Sequence, residues 1–72
     1  MTTTVPITIR LNGDDHEVAA GTTVAQLVEQ LAIGGGAVAV EVNRAIVPKA
    51  AHAQHVLVGD DEVEVVTIVG GG

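Results

Sequence analysis

The sequence contains no cysteine, phenylalanine, tyrosine or tryptophan, and no serine. Without cysteine there can be no disulfide staple, no thiolate metal site and no thiol nucleophile. Without serine, cysteine or tyrosine, nucleophilic catalysis has little to work with, since the threonines fall in the N-terminal segment, at a helix start or on strands. A core without aromatic rings must be assembled from Val, Ile, Leu and Ala, through many small contacts rather than a few large ones. Positive charge is equally scarce: Arg10, Arg44 and Lys49 face nine acidic residues, for a net charge of −6. That balance opposes binding to nucleic acid or to an anionic membrane and suits a partner with a basic docking surface. No apolar run approaches the roughly 20 residues needed to span a bilayer. Met1–Val5 has neither a basic start nor an apolar stretch, so a cytoplasmic protein is expected. Seventy-two residues make one domain with one small core, worth in total about 4–11 kcal/mol at ordinary marginal stability.

The hydrophobic pattern supplies the elements. Val5, Ile7, Ile9 and Leu11 alternate with Pro6, Thr8 and Arg10, the period of a half-buried strand. Asn12-Gly13-Asp14-Asp15 is turn chemistry, and His16–Ala20 returns as the second arm of a hairpin. Thr23 with Gln26 three residues on forms a capping box. Val24, Leu27, Val28 and Leu31 then trace one apolar stripe, predicting a helix of about ten residues, with Gly34 as its terminal cap. Ala37–Val42 is nearly continuous in apolar character, as a central strand would be. Asn43-Arg44 turns the chain into Ala45-Ile46-Val47, and Pro48 closes that strand. The shape of Lys49–His55 is open. Val56-Leu57-Val58 are expected to pack inward before a Gly59-Asp60-Asp61 turn, and Glu62–Ile68 forms the last strand. One helix covering a four- to five-stranded mixed sheet gives a two-layer α+β domain, for which a β-grasp arrangement is the economical solution. By analogy with that fold, the first and last strands lie parallel at the sheet centre. Residues 1–68 are expected to form the domain and 69–72 a flexible glycine tail.

Conventional active-site chemistry finds little support. Asp14-Asp15 and Asp60-Asp61-Glu62 sit in turn sequences, where acids serve the backbone. His52 and His55 could share a helical face, but with His16 remote they do not make the three or four converging ligands of a zinc site, and surface or packing roles are expected. Gly34-Gly35-Gly36 lacks the Lys-Ser/Thr of a phosphate loop.

The other glycine run differs, because Val69-Gly70-Gly71-Gly72 ends in a free carboxylate. Lacking Cβ atoms, such a tail can thread a channel too narrow for side chains, and extended it reaches on the order of 13 Å. The Gly72 carboxylate, with an ordinary pKa near 3.5, is ionised and a poor electrophile. Acyl transfer therefore requires its conversion to a mixed anhydride, and adenylation by an ATP-using partner is the usual route. On the last strand, Val63, Val65, Thr67 and Val69 share one face, while Glu62, Glu64, Val66 and Ile68 share the other. If the first set faces the helix, Val66 and Ile68 form an exposed apolar pair beside the tail, which is expected to dock a partner.

These residues resemble the small sulfur carrier of thiamine biosynthesis, a ubiquitin-like β-grasp family, over nearly the whole chain. The likeness is carried by Ile9-Arg10-Leu11-Asn12-Gly13, Thr23–Val28, Val38-Ala39-Val40-Glu41-Val42-Asn43, Ile46-Val47-Pro48-Lys49, and Val63–Val66 leading to Val69-Gly70-Gly71-Gly72. Two loop positions depart from it: His52 stands where the family usually has Trp, and Gly59 falls one position early. The resemblance implies a carrier, not an enzyme. An E1-like adenylating enzyme would activate the Gly72 carboxylate with Mg-ATP, the carrier itself holding no cofactor and no metal. A persulfide donor of cysteine desulfurase or rhodanese type would leave a thiocarboxylate, which would pass its sulfur to thiazole synthase. Gly70 and Gly71 would supply the slim approach, and Val66, Ile68 and Val69 would orient it.

Three other functions share parts of this pattern. The small subunit of molybdopterin synthase has the same tail chemistry, and co-purification with thiazole synthase or with a molybdopterin synthase large subunit separates the two. A protein modifier would leave ladders of larger conjugates. An inert binding module would tolerate loss of Gly71-Gly72.

Overall fold

The computed structural model describes residues 5–31 and 37–68. The strands are β1 (Pro6–Leu11), β2 (Asp14–Ala19), β3 (Ala37–Val42), β4 (Ala45–Val47) and β5 (Glu62–Ile68), and the helix is α1 (Val24–Gln30). They form a five-stranded mixed sheet in the order β2-β1-β5-β3-β4 with α1 on one face. This is the α+β β-grasp architecture expected from the pattern. β1 and β5 run parallel, with Arg10 beside Glu62 and Leu11 beside Val63, whereas β3 runs antiparallel to both β5 and β4.

Two hairpin turns set the register. Asn12 and Gly13 both have positive φ (50° and 89°), as do Asn43 and Arg44 (52° and 69°). Paired left-handed residues match the twist of two-residue hairpins, and Asn tolerates that region best among residues with a side chain. Arg44 is the costlier occupant, since its Cβ crowds the following carbonyl there.

The core is wholly aliphatic: Ile9, Val18, Val24, Leu27, Val40, Val42, Val47, Leu57, Val63 and Val65 are buried, with Ile7, Leu11, Val28, Leu31 and Val38 packed against them. Alternation on each strand delivers one row inward. The capping box forms as read, Gln26 N–H donating to Thr23 Oγ1 and Thr23 N–H to the Gln26 side chain. The other free donors of the first turn are met by the loop that follows β4: Val24 N–H donates to the His55 carbonyl and Ala25 N–H to that of His52. Helix ends leave such groups unpaired unless something supplies acceptors.

Three expectations need correction. The helix has seven residues rather than about ten, because the last member of its stripe, Leu31, is already the C-cap. The expected Gly34 cap lies outside the described residues. β3 is an interior strand, but β5 holds the centre, and the outward row of β3 is Ala37, Ala39 and Glu41. Of Val56-Leu57-Val58 only Leu57 is buried; its neighbours are half exposed, because the segment is extended and sends alternate side chains to solvent. The open segment resolves into a 3-10 turn, Lys49–Ala51. Among the described residues no helix is long and apolar enough to cross a membrane.

Ile9→Ala should cost about 2–5 kcal/mol, a large part of the total, because a fully buried side chain is lost from a small core. Val58→Ala should stay within about 0.5 kcal/mol, since its side chain is largely in water. Urea denaturation of the two variants checks both values.

Candidate functional site

The strand that leads to the chain's end is fixed on both sides. β1 ends at Leu11, before β5 is half run, and Asn12 continues the ladder in its place. Its backbone N–H donates to the Val63 carbonyl at 2.8 Å. Its side-chain oxygen accepts from Val65 N–H at 2.9 Å, and Nδ2 donates to the Val65 carbonyl at 3.4 Å. The amide thus stands in for the strand residue that the turn removes.

Asn43 does the corresponding work at the other end. Its backbone N–H donates to the Glu62 carbonyl, and its side-chain oxygen accepts from Glu62 N–H at 2.9 Å. Its Nδ2 donates to Asp61 Oδ1 at 2.9 Å. Asp61 is buried, and its Oδ2 accepts from Val58 N–H at 2.9 Å, closing the turn that launches β5. The backbone role read for this acid is therefore specific: it orders a turn in which Asp60 is left-handed (φ 70°).

Between these fixings β5 presents two faces. Val63 and Val65 are buried, and Val66 and Ile68 are 57% and 53% exposed on the open face. Small residues oppose them on β3: Ala39 beside Val66 and Ala37 beside Ile68. Ile46 of β4, 74% exposed, lies on the same open face but one row earlier, paired with Glu41. The sequence reading passed over Ile46, although the alternation Ala45-Ile46-Val47 with Val47 inward already turns it outward. Farther from the chain's end the open face becomes charged, with Glu41 opposite Glu64 and Arg10 beside Glu62. The apolar part therefore adjoins the exit of the tail. Val69, Gly70, Gly71 and Gly72, the remaining residues expected at the site, lie outside the described residues.

The histidines do not converge. His52 is buried and its Nε2 lies 3.0 Å from the Val47 carbonyl. A carbonyl can only accept, so Nε2 carries the proton and donates. This ring closes the packing beside β4, in line with a packing role. Among the described residues no group of three His, Cys, Asp or Glu side chains is placed to hold a metal ion.

The fold and the exposed strand exit define a β-grasp domain built around its last strand. The profile described as "ThiS family" matches residues 9–72. A thiazole synthase of Magnetococcus marinus is 44% identical over 64 residues, covering 89% of this chain and 20% of that protein. One of Paramagnetospirillum magneticum is 39% identical over 62 residues, covering 86% of this chain and 19% of its own length. The chain thus spans about a fifth of these two relatives. The sulfur carrier protein ThiS of Escherichia coli is 34% identical over 64 residues, 89% of this chain and 97% of that protein. The crystal structure of thiamine biosynthesis protein ThiS from Geobacter metallireducens superposes with a TM-score of 0.78 at 26% identity, covering 92% of this chain and all of that one. The chain belongs to the ThiS family.

Replacing Asn12 with Ala should cost about 1–3 kcal/mol, since two backbone groups of Val65 lose their partners. Amide hydrogen exchange at Val65 should accelerate more than at Val40. Equal protection of Val65 in both proteins would show that the side chain does not hold the strand.

Proposed function

We propose that this protein is a sulfur carrier for thiamine biosynthesis, whose reactive group is the Gly72 carboxylate. An E1-like enzyme adenylates that carboxylate with Mg-ATP. The sulfur of a persulfide, held by a donor of cysteine desulfurase or rhodanese type, attacks the acyl carbon. AMP leaves, and reductive cleavage of the resulting acyl disulfide by a thiol gives the thiocarboxylate. Thiazole synthase then takes the sulfur. Family membership carries the reading, and the chemistry of the chain supports it. With no cysteine, no side chain can hold a persulfide, so the terminus is the place left for sulfur.

The scaffold's part is presentation. β5 is anchored by Asn12 and Asn43 up to Val65, so the tail departs from a fixed strand rather than from a loose terminus. The exposed pair Val66 and Ile68 supplies apolar area for the activating enzyme to cover before the tail enters its channel. A preordered strip lowers the cost of ordering on binding.

Incubation with the adenylating enzyme, ATP and a persulfide donor should raise the intact mass by the difference between one sulfur and one oxygen. No such gain would reject the proposal. Val66→Asp with Ile68→Asp should leave stability within about 0.5 kcal/mol, as both side chains are half in water. The same pair should weaken complex formation at least tenfold, roughly 1.4 kcal/mol, by titration calorimetry. Deleting Gly71-Gly72 should abolish thiocarboxylate formation with unfolding unchanged.

A further inference from the structure

The two hairpins of the sheet turn on the same pattern with one difference. Each loop is an Asn followed by a second residue of positive φ: Asn12-Gly13 (50° and 89°) and Asn43-Arg44 (52° and 69°). Glycine takes that second position at no steric cost, and the first turn uses it. In the second turn the same position holds an arginine, one of only three basic residues in a chain of net charge −6. A side chain kept where its backbone is strained calls for a role outside the turn.

The surroundings of Arg44 supply one. It is exposed and lines a cleft of about 240 Å³ with Arg10, Gly13, Glu62, Val63 and Glu64. The cleft crosses the first half of β5 on the open face, which carries Val66 and Ile68 farther along the same strand. Two of the chain's three cations therefore stand at the charged end of that face. Arg10 is tied down locally: its guanidinium donates to the Gly13 carbonyl at 3.2 Å, and Asp15 and Glu62 flank it on the neighbouring strands. Arg44 stands across β5 from it, on the turn between β3 and β4.

We infer that Arg44 is a keying contact of the open face, its guanidinium pairing with a carboxylate set in an otherwise basic surface of the adenylating enzyme. The inference rests on the proposed activation by such an enzyme. Glu41, Glu62 and Glu64 on this face attract a basic surface in many registers, because long-range attraction has little direction. A carboxylate placed opposite Arg44 meets a planar fork of donors in one register only. In a shifted register it faces Glu62 or Glu64 and is repelled, so wrong seatings are penalised as well as the right one favoured. The apolar pair at the far end of β5 adds area without choosing among registers. Glycine at position 44 would ease the turn and lose the key.

The test is a replacement that spares the fold and harms the contact. Arg44→Gly should leave the urea unfolding midpoint of the free carrier unchanged or raise it, since glycine suits the left-handed position. In ATP–pyrophosphate exchange with the adenylating enzyme at low salt, the same variant should raise KM for the carrier at least about tenfold with kcat unchanged, the mark of a lost binding contact. Arg44→Glu should raise KM further, and both differences should shrink as salt is added. A lower unfolding midpoint for Arg44→Gly would show that the arginine serves its own fold, and an unchanged KM that no carboxylate meets it; either result overturns the inference. Failure of the activation reading is seen separately, as absence of exchange with the unmodified carrier.

Discussion

The last strand of the sequence is the middle strand of the sheet, and most of the architecture answers to that placement. β5 finds partners on both sides, parallel to β1 and antiparallel to β3. The parallel side is short, since β1 turns away at Leu11. A central strand with an unmatched edge would leave backbone groups without partners at a place flanked by the core, which costs more than a typical hydrogen bond returns. Two asparagines resolve this. Each occupies the left-handed first position of a hairpin turn, which the turn requires for its twist, and each side chain is then free to reach β5. The residue that makes the turn also completes the neighbouring ladder.

A similar economy holds at the helix. Seven residues are too few to be stable alone, because nucleation is costly and few bonds follow it. Stability comes from Val24 and Leu27 in the core and from loop carbonyls that receive the first-turn amides. The loop from Lys49 to Leu57 is held in return: Leu57 is buried, its N–H donates to the Thr22 carbonyl, and His52 closes on Val47. Helix and loop are each incomplete without the other, so they should unfold as one unit.

This explains what could and could not be read from residue order. Strand periodicity, the capping box and the reversal of polarity along β5 are local signals, and they located the sheet, the helix start and the exposed pair Val66 and Ile68. The structural roles of Asn12, Asn43 and Asp61 are not local. Asn12 acts on a residue 53 positions away, and nothing in a turn sequence reveals where a side-chain amide will be spent. Val56 and Val58 show the opposite case: they are apolar yet half exposed, because an extended segment can bury only every second side chain. Ile46 was legible in principle, from the inward setting of Val47 alone. The proposed reactive end stands apart, because its reading comes from residue type and position in the chain rather than from any packing pattern.

The open face shows how such a scaffold separates holding from presenting. The Glu41–Glu64 pairing sets like charges opposite each other on neighbouring strands, an arrangement that disfavours the sheet slightly. It persists because the inward row of the same strands, Val40, Val42, Val63 and Val65, supplies far more than the outward row removes. Freed from any duty to the core, the outward row can be graded along its length, acidic where β5 begins and apolar where it ends. The face therefore changes from charged to apolar towards Ile68. If the proposed docking uses this face, the charged part would steer a partner and the apolar pair would supply the hold.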